Sequence, residues 1–380
     1  MIKTIKQLLF IVVLLLFSCA TVSCAEFSQV ELDYARGFNV EEGNGYYVVT
    51  VYRPWGDSVE PESYLLIDRD KPIPLEYKNL HVIKIPVERI VTASMTMLPF
   101  IEKLAPQEAL VAVGGKRYVY SEKIRNMDLP DVASDAGSGL RLDIEKLLAL
   151  QPDVVFIYTY TAAEKESVDR LRKLGIPIVI ASDYLEETPL GVAEWIKFVS
   201  LFLGKEKEAQ SFFAEIAESY ISLKSLASQS SDRPTVMVNA AIGGTWYVSG
   251  GQSWPAHLIR DAGACYLWSE VEKRGSVPID FEKVVEKALN SNFWINTSTW
   301  QSLAEGENED SRYTIFRPFK EERVYNNNAR VTSEGANDYY QQGIMRPDLI
   351  LKDLISIFHP DLLPTHSLYF YRHLEERSFP

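Results

Sequence analysis

The chain is poor in cysteine, in histidine and in positive charge, and each shortage removes a class of function. It has 3 cysteines in 380 residues. Two of them, Cys19 and Cys24, fall in an amino-terminal leader, which leaves Cys265 alone in the folded body. No intramolecular disulfide and no cysteine-based metal site can form there, and Cys265 is expected to be a buried apolar thiol. The 5 histidines, His81, His257, His359, His366 and His373, show no i, i+4 pairing on a helix and no flanking cysteine or clustered carboxylate. That argues against capture of zinc, manganese or bare iron by the protein alone. Lys and Arg number 39 against 52 Asp and Glu, a net charge of −13, the opposite of what a nucleic-acid partner requires. Catalytic signatures are missing too: there is no Gly-x-Ser-x-Gly elbow, no His-Glu-x-x-His and no Walker A sequence. Gly137-Ser138-Gly139 and Gly243-Gly244 are short turn-formers. Gly250-Gly251-Gln252-Ser253 reads as a tight turn in which Ser253 caps a helix, rather than as an anion site. The chain is therefore read as a non-enzyme with no catalytic residue, no metal site and no cofactor.

What is present begins with a leader, residues 1–25. Lys3 and Lys6 give it a positive start, and Leu8 to Phe17 is an apolar run too short to span a bilayer comfortably. Two processing readings follow. Leu16-Phe17-Ser18-Cys19 looks like a lipobox, with Cys19 lipidated as the mature N-terminus; Ser23-x-Ala25 also satisfies a plain signal-peptidase site. The lipobox is the preferred reading. Either way the protein leaves the cytoplasm. The length suits two domains, and 46% hydrophobic residues are enough for a core in each.

Residues 26–85 read as a β-rich extension packed on the first lobe. Gly45 to Tyr52 and Tyr64 to Ile67 are β-branched or aromatic runs separated by Pro54, Gly56 and Pro61. An amino-terminal α/β lobe is expected over residues 86–188. Its strand candidates are Arg89–Thr92, Ala109–Val113, Asp153–Tyr158 and Ile178–Ile180, with helices over Asp143–Ala149 and Ala162–Leu174 between the later ones. Residues 189–230 break that rhythm with apolar positions at helical spacing and read as a connecting helix divided at Gly204. Its second part could run about 20 residues, about 30 Å. A second α/β lobe over residues 231–380 opens with Thr235–Val238. It repeats a pattern of the first: Leu142-Asp143-Ile144-Glu145 and Ile279-Asp280-Phe281-Glu282 each precede an apolar helix and a strand. The fold class is α/β, with a mostly parallel, helix-flanked sheet in each lobe.

From about Arg89 to Leu374 the chain resembles the substrate-binding proteins of ABC importers for ferric siderophores, haem and cobalamin. The resemblance rests on Arg89-Ile90-Val91, Val111-Ala112-Val113-Gly114-Gly115, the Leu142-to-Ile157 segment and Leu174-Gly175-Ile176-Pro177-Ile178. In the second half it rests on Tyr247-Val248-Ser249-Gly250-Gly251, Ala262-Gly263-Ala264, Arg346-Pro347-Asp348-Leu349 and Phe358-His359-Pro360. It implies two lobes joined by one long helix, modest closure, and a ligand held between them for delivery to a permease and ATPase complex. It also implies that Glu145 and Glu282, one per lobe, dock on basic residues of the permease. A carboxylate in a helix's first turn equally complements the helix dipole without any partner.

In such a fold the ligand sits at loops beyond the carboxyl ends of the parallel strands. Four loops qualify: Lys116 to Tyr120, Tyr158 to Tyr160, Gly243 to Trp246 and Asn337 to Tyr340. Tyr118, Tyr120, Tyr158, Tyr160, Trp246, Tyr339 and Tyr340 are the aromatic candidates for stacking on a flat ligand. Arg117, Arg274 and Arg330 could pair with ligand carboxylates or an anionic chelate. The expected function is capture of an iron-siderophore, haem or corrinoid in the periplasm by a monomer that meets the membrane only through its lipid. The competing reading is an envelope interaction lipoprotein with a vestigial cleft, which binds another protein through the extension. An open cleft faced by the four loops would favour capture; a cleft filled by side chains would favour the competitor.

Overall fold

Four short runs of β-branched and apolar residues pair in parallel in the spatial order Leu110–Val113, Ile90–Thr92, Val154–Ile157, Ile178–Ile180. Every residue of the last three is buried, as expected where helices cover both faces of a parallel sheet. The computed structural model describes residues 28–375 apart from 57 and 136–139. The leader with Cys19, and the Gly137-Ser138-Gly139 turn, lie outside the described residues. Helix Ile144–Leu150 starts where Asp143 accepts a hydrogen bond from the amide of Lys146. Helix Ala162–Lys173 is fixed by a full capping box between Thr161 and Glu164.

The second lobe repeats this plan. Cys265–Tyr266, Thr235–Val238, Phe293–Ile295 and Val324–Asn326 run parallel, with Arg372–His373 antiparallel at the far edge. A small antiparallel sheet, Ala241–Ile242, Thr245–Ser249 and Ser276–Ile279, flanks it. Its hairpin turns on Gly243 and Gly244, at φ +58° and +84°, a pair of left-handed positions that two consecutive glycines meet without strain. Asp280 sits at the N-cap of helix Phe281–Ala288, but its side chain makes no capping bond and lies 3.7 Å from Lys283 instead. Ser253 does cap helix Trp254–Asp261, accepting from Ala256. Cys265 is exposed rather than buried: in a two-residue edge strand only one side chain can turn inward, and Tyr266 takes that place.

The amino-terminal extension forms its own five-stranded sheet: Ser28–Gln29, Phe38–Gly43, Tyr46–Val51, Glu62–Asp68 and His81–Ile85. It packs on the first lobe and blunts an exposed edge there. The Tyr64 hydroxyl accepts the amide of Ile180 on the edge strand, and Arg172 donates to the carbonyl of Ile178 while pairing with Glu62. The connecting segment is three helices, Pro189–Ala193, Trp195–Leu203 and Glu206–Ser228, with the expected break at Gly204 and a second at Glu194. Glu194, fully buried, accepts the backbone amides of Asp33, Tyr34 and Ala35 and pairs with Lys197 at 2.6 Å. Glu186 likewise takes the amides of Arg36 and Gly37 and the Trp195 indole. The extension is thus pinned to the connector by carboxylates as well as by Phe38, which meets Trp195 and Phe198.

Candidate ligand-binding cleft

A cavity of about 730 Å³ lies between the lobes, at the carboxyl ends of both parallel sheets. On the first-lobe side, Gly115 at φ +81° turns the chain out of its strand. The Asp131 carboxylate then accepts the amides of Gly115 and Lys116, which fixes the loop that presents Tyr118. Tyr158 and Tyr160 leave the end of Val154–Ile157 with Thr159 between them. Thr159 is buried and donates to the Pro54 carbonyl of the extension, so the two tyrosines face outward. Their rings lie 5.1 Å apart at 59°, and Tyr184 continues the row at 5.1 Å and 72° from Tyr160. Burial pushes the Tyr160 hydroxyl up to about 12, so it stays a neutral donor.

The second-lobe wall is built by asparagines. Asn239, Asn296 and Asn327 lie just past the ends of Thr235–Val238, Phe293–Ile295 and Val324–Asn326, and all three line the cavity. Asn239, Asn296 and the nearby lining residue Ser298 are held at φ +64°, +61° and +61°. Left-handed backbone costs free energy at non-glycine residues, less at asparagine than at most, and three of the five such residues among those described line this one wall. Asn239 is locked through its carbonyl to the Trp294 indole and through its amide to Tyr247. Asn327 donates to the Tyr340 hydroxyl at 3.2 Å. Gln341 reaches across the cleft: its amide donates to the Tyr118 carbonyl at 2.7 Å and accepts the Tyr120 amide at 3.0 Å. On another flank Arg274 of the second lobe pairs with Glu187 of the first.

Of the residues singled out from the sequence, Tyr118, Tyr158, Tyr160 and Tyr340 come together in this cavity. Trp246 does not. It is 1% exposed, stacks on Trp294 at 5.7 Å and donates to the Val238 carbonyl, because alternation along its strand turns it inward and turns Tyr247 to the cleft. Tyr339 is likewise buried, against Phe370 and Tyr371, while its neighbour Tyr340 faces out. Tyr120 lies off the cavity with the Arg330 guanidinium 5.3 Å from its ring. None of the three arginines lines the cavity. Arg117 stacks on Tyr118, Arg274 holds Glu187, and Arg330 holds Asp338 at 2.7 Å. No lysine, arginine, aspartate or glutamate lines the cleft among the described residues. Asparagine directly after an apolar strand run was the signal for the missed second-lobe residues. Glu145 and Glu282 are solvent-exposed on their helices, away from the cavity lining. Among the described residues no group of three His, Cys, Asp or Glu side chains is placed to hold a metal.

Residues 90–311, more than half of the chain, match the family described as periplasmic binding protein. A protein of Methanocaldococcus jannaschii named as an uncharacterized lipoprotein is 26% identical over 364 residues, covering 90% of this chain and 84% of its own. The structure is similar to that of the periplasmic vitamin B12 binding protein BtuF of Vibrio cholerae, with a TM-score of 0.54 and 15% identity over 72% of this chain and 97% of that one. It is also similar to the molybdate periplasmic binding protein MolA of Haemophilus influenzae, with a TM-score of 0.57 and 17% identity over 75% and 90% of the two chains. Identities this low carry the fold alone.

Proposed function

Since the chain belongs to the periplasmic binding protein family, the solute-binding components of ABC transporters and not enzymes, we propose that it captures an iron chelate or a corrinoid without net negative charge and delivers it to its permease. The observation that carries this is the lining of the cleft: five tyrosines, 118, 158, 160, 247 and 340, side-chain amides of the second lobe and, among the described residues, no charged side chain. Rings supply faces for a large, partly apolar ligand, and hydroxyls and amides satisfy peripheral carbonyls and hydroxyls. A ligand rich in carboxylates, such as haem, would bury its anions here without a basic partner, at a cost of several kcal/mol. The open cavity favours capture over the vestigial-cleft reading, in which the extension alone would bind a partner. Native mass spectrometry of the purified protein after exposure to haem, cobalamin and uncharged ferric hydroxamates tests the proposal. A complex with haem alone, or with none of them, would refute it.

Export and anchoring form part of the same reading. The lipobox at Cys19 and the lipoprotein name of the archaeal relative support a lipid anchor outside the cytoplasm. Cys19→Ala should move the protein from the membrane to the soluble fraction. Unchanged membrane association would leave the plain signal-peptidase site as the better reading.

A further inference from the structure

We infer that Gln341 is a positioning residue for capture: its side-chain amide, a fixed post of the second lobe, holds the first-lobe loop that presents Tyr118 opposite Tyr340 on the cleft wall. The inference rests on the capture reading above and adds to it the residue that sets the relation between these two rings.

The loop from Lys116 to Tyr120 is anchored at its base within its own lobe, where Asp131 accepts the Lys116 amide at 2.7 Å. At its tip Val119 is fully buried, and the two backbone groups on either side of it go to the second lobe. The Tyr118 carbonyl accepts from the Gln341 side chain at 2.7 Å, and the Tyr120 amide donates to the same side chain at 3.0 Å. A primary amide carries a donor and an acceptor side by side, so this one side chain pairs with the loop as the edge of a strand would. The Tyr118 ring is 40% exposed and meets Arg117 of its own loop, so its place on the cleft wall follows the backbone that Gln341 holds.

Gln341 is itself well fixed. It is 5% exposed, lines the cavity, and lies between the turn Asp338–Tyr340 and the helix Gln342–Met345. That helix packs on Leu98–Leu104 of the first lobe and on Pro189–Ala193 of the connector, which holds the backbone that carries the clasp. Arg330, paired with Asp338 at 2.7 Å, adds a second hold from the same lobe, its guanidinium 5.3 Å from the centre of the Tyr120 ring. The relation of the two walls is therefore built by the protein's own bonds. A ligand that touches both Tyr118 and Tyr340 meets a preorganised pair and loses less free energy in ordering the loop. Without the clasp the loss should appear in dissociation, since encounter depends little on one local loop.

The test uses the full chain and two uncharged probes, cyanide-liganded cobalamin and a neutral ferric tris-hydroxamate. Gln341→Leu nearly keeps the side-chain volume and removes both bonds, and water in the cleft can take the two freed backbone groups. Dissociation of whichever probe binds should quicken about tenfold in stopped-flow measurements, with association within about twofold of the parent. Gln341→Glu keeps an acceptor for the Tyr120 amide but loses the donor to the Tyr118 carbonyl, and it should also release the probe faster than the parent. Hydrogen exchange reads the clasp directly. In Gln341→Leu the Tyr120 amide should exchange about tenfold faster, while the Lys116 amide, held by Asp131, keeps its parent rate. In the parent a bound probe should slow exchange at Tyr120, a measurement that decides the matter if the variants misfold. Parent-like dissociation from Gln341→Leu, or exchange at Tyr120 that neither the variant nor a bound probe changes, would overturn the positioning role while leaving capture intact. Binding of neither probe to the parent would overturn the capture reading and this inference with it.

Discussion

Asp183, buried at the start of the short turn Asp183–Leu185 beyond the edge strand Ile178–Ile180, makes the fold sensitive to pH. Burial pushes its carboxyl up to about 7 from an ordinary 3.8, with Glu186 adding to the shift and the Thr96 hydroxyl opposing it. The folded protein therefore keeps a proton that the unfolded chain releases in mild acid, and raising the pH through that window favours unfolding. Asp183→Asn removes the titration. Its melting temperature should exceed the parent's by a margin that widens from about pH 4 to about pH 7 and is flat above; a margin that does not change with pH would show that Asp183 titrates normally. The pair Trp246 and Tyr247 offers a sharper contrast between neighbours. Trp246→Ala empties a site bounded by Trp294, Tyr313 and Phe316 and should cost about 3–5 kcal/mol in urea unfolding. Tyr247→Ala, at an exposed position on the cleft, should change stability by less than about 0.5 kcal/mol and weaken ligand binding about two- to tenfold. The opposite assignment of the two effects would show that the strand's register is off by one residue.

Elements were more legible than the faces they present. Strand and helix positions follow from runs such as Val154-Val155-Phe156-Ile157 and from the capping box at Thr161, because burial on both faces and end-capping leave local marks in the sequence. Which of two adjacent aromatics enters the core is not local. It depends on the sheet's pairing, so Trp246 and Tyr339 were expected in the cleft although their partners Tyr247 and Tyr340 occupy it. The arginines misled for a related reason. Arg274 and Arg330 have carboxylate partners, and Glu187 lies 87 residues from Arg274, a separation that no short-range pattern reveals. The carboxylates that hold the extension are distant contacts of the same kind. Glu194→Ala would take from buried Lys197 its 2.6 Å partner, leaving it Asp33 at 3.6 Å, and strand the amides of Asp33, Tyr34 and Ala35. A loss of about 3–5 kcal/mol is expected, with earlier proteolytic cutting around residues 30–37 than elsewhere. Cutting at an unchanged rate in the variant would mean that Phe38 and its aromatic partners suffice to hold the sheet.

At the scale of the molecule, capture is only useful if both lobes meet the permease in a fixed relation. Three features tie that relation down: the connector helices, the Gln341 amide clasping the backbone of Tyr118 and Tyr120, and the Arg274–Glu187 pair. With the lobes so held, one exposed carboxylate on each could act as a two-point gauge. Glu145 and Glu282 occupy the same place in equivalent helices, one residue into the first turn after Asp143 and Asp280, and both face solvent. Charge pairs at the rim of an interface govern orientation and encounter more than they govern affinity, so a pair at matched positions suits docking better than ligand binding. Each single replacement by Arg should slow uptake in cells, since one anchor remains. If the permease presents the basic surface that the resemblance implies, the double replacement Glu145→Arg, Glu282→Arg sets two repulsive contacts against it and should abolish uptake. Ligand affinity of the purified double variant should stay within about twofold of the parent, because neither side chain lines the cleft. A large loss of affinity would bring these carboxylates into the capture step, and normal uptake by the double variant would place the docking surface elsewhere on the two lobes.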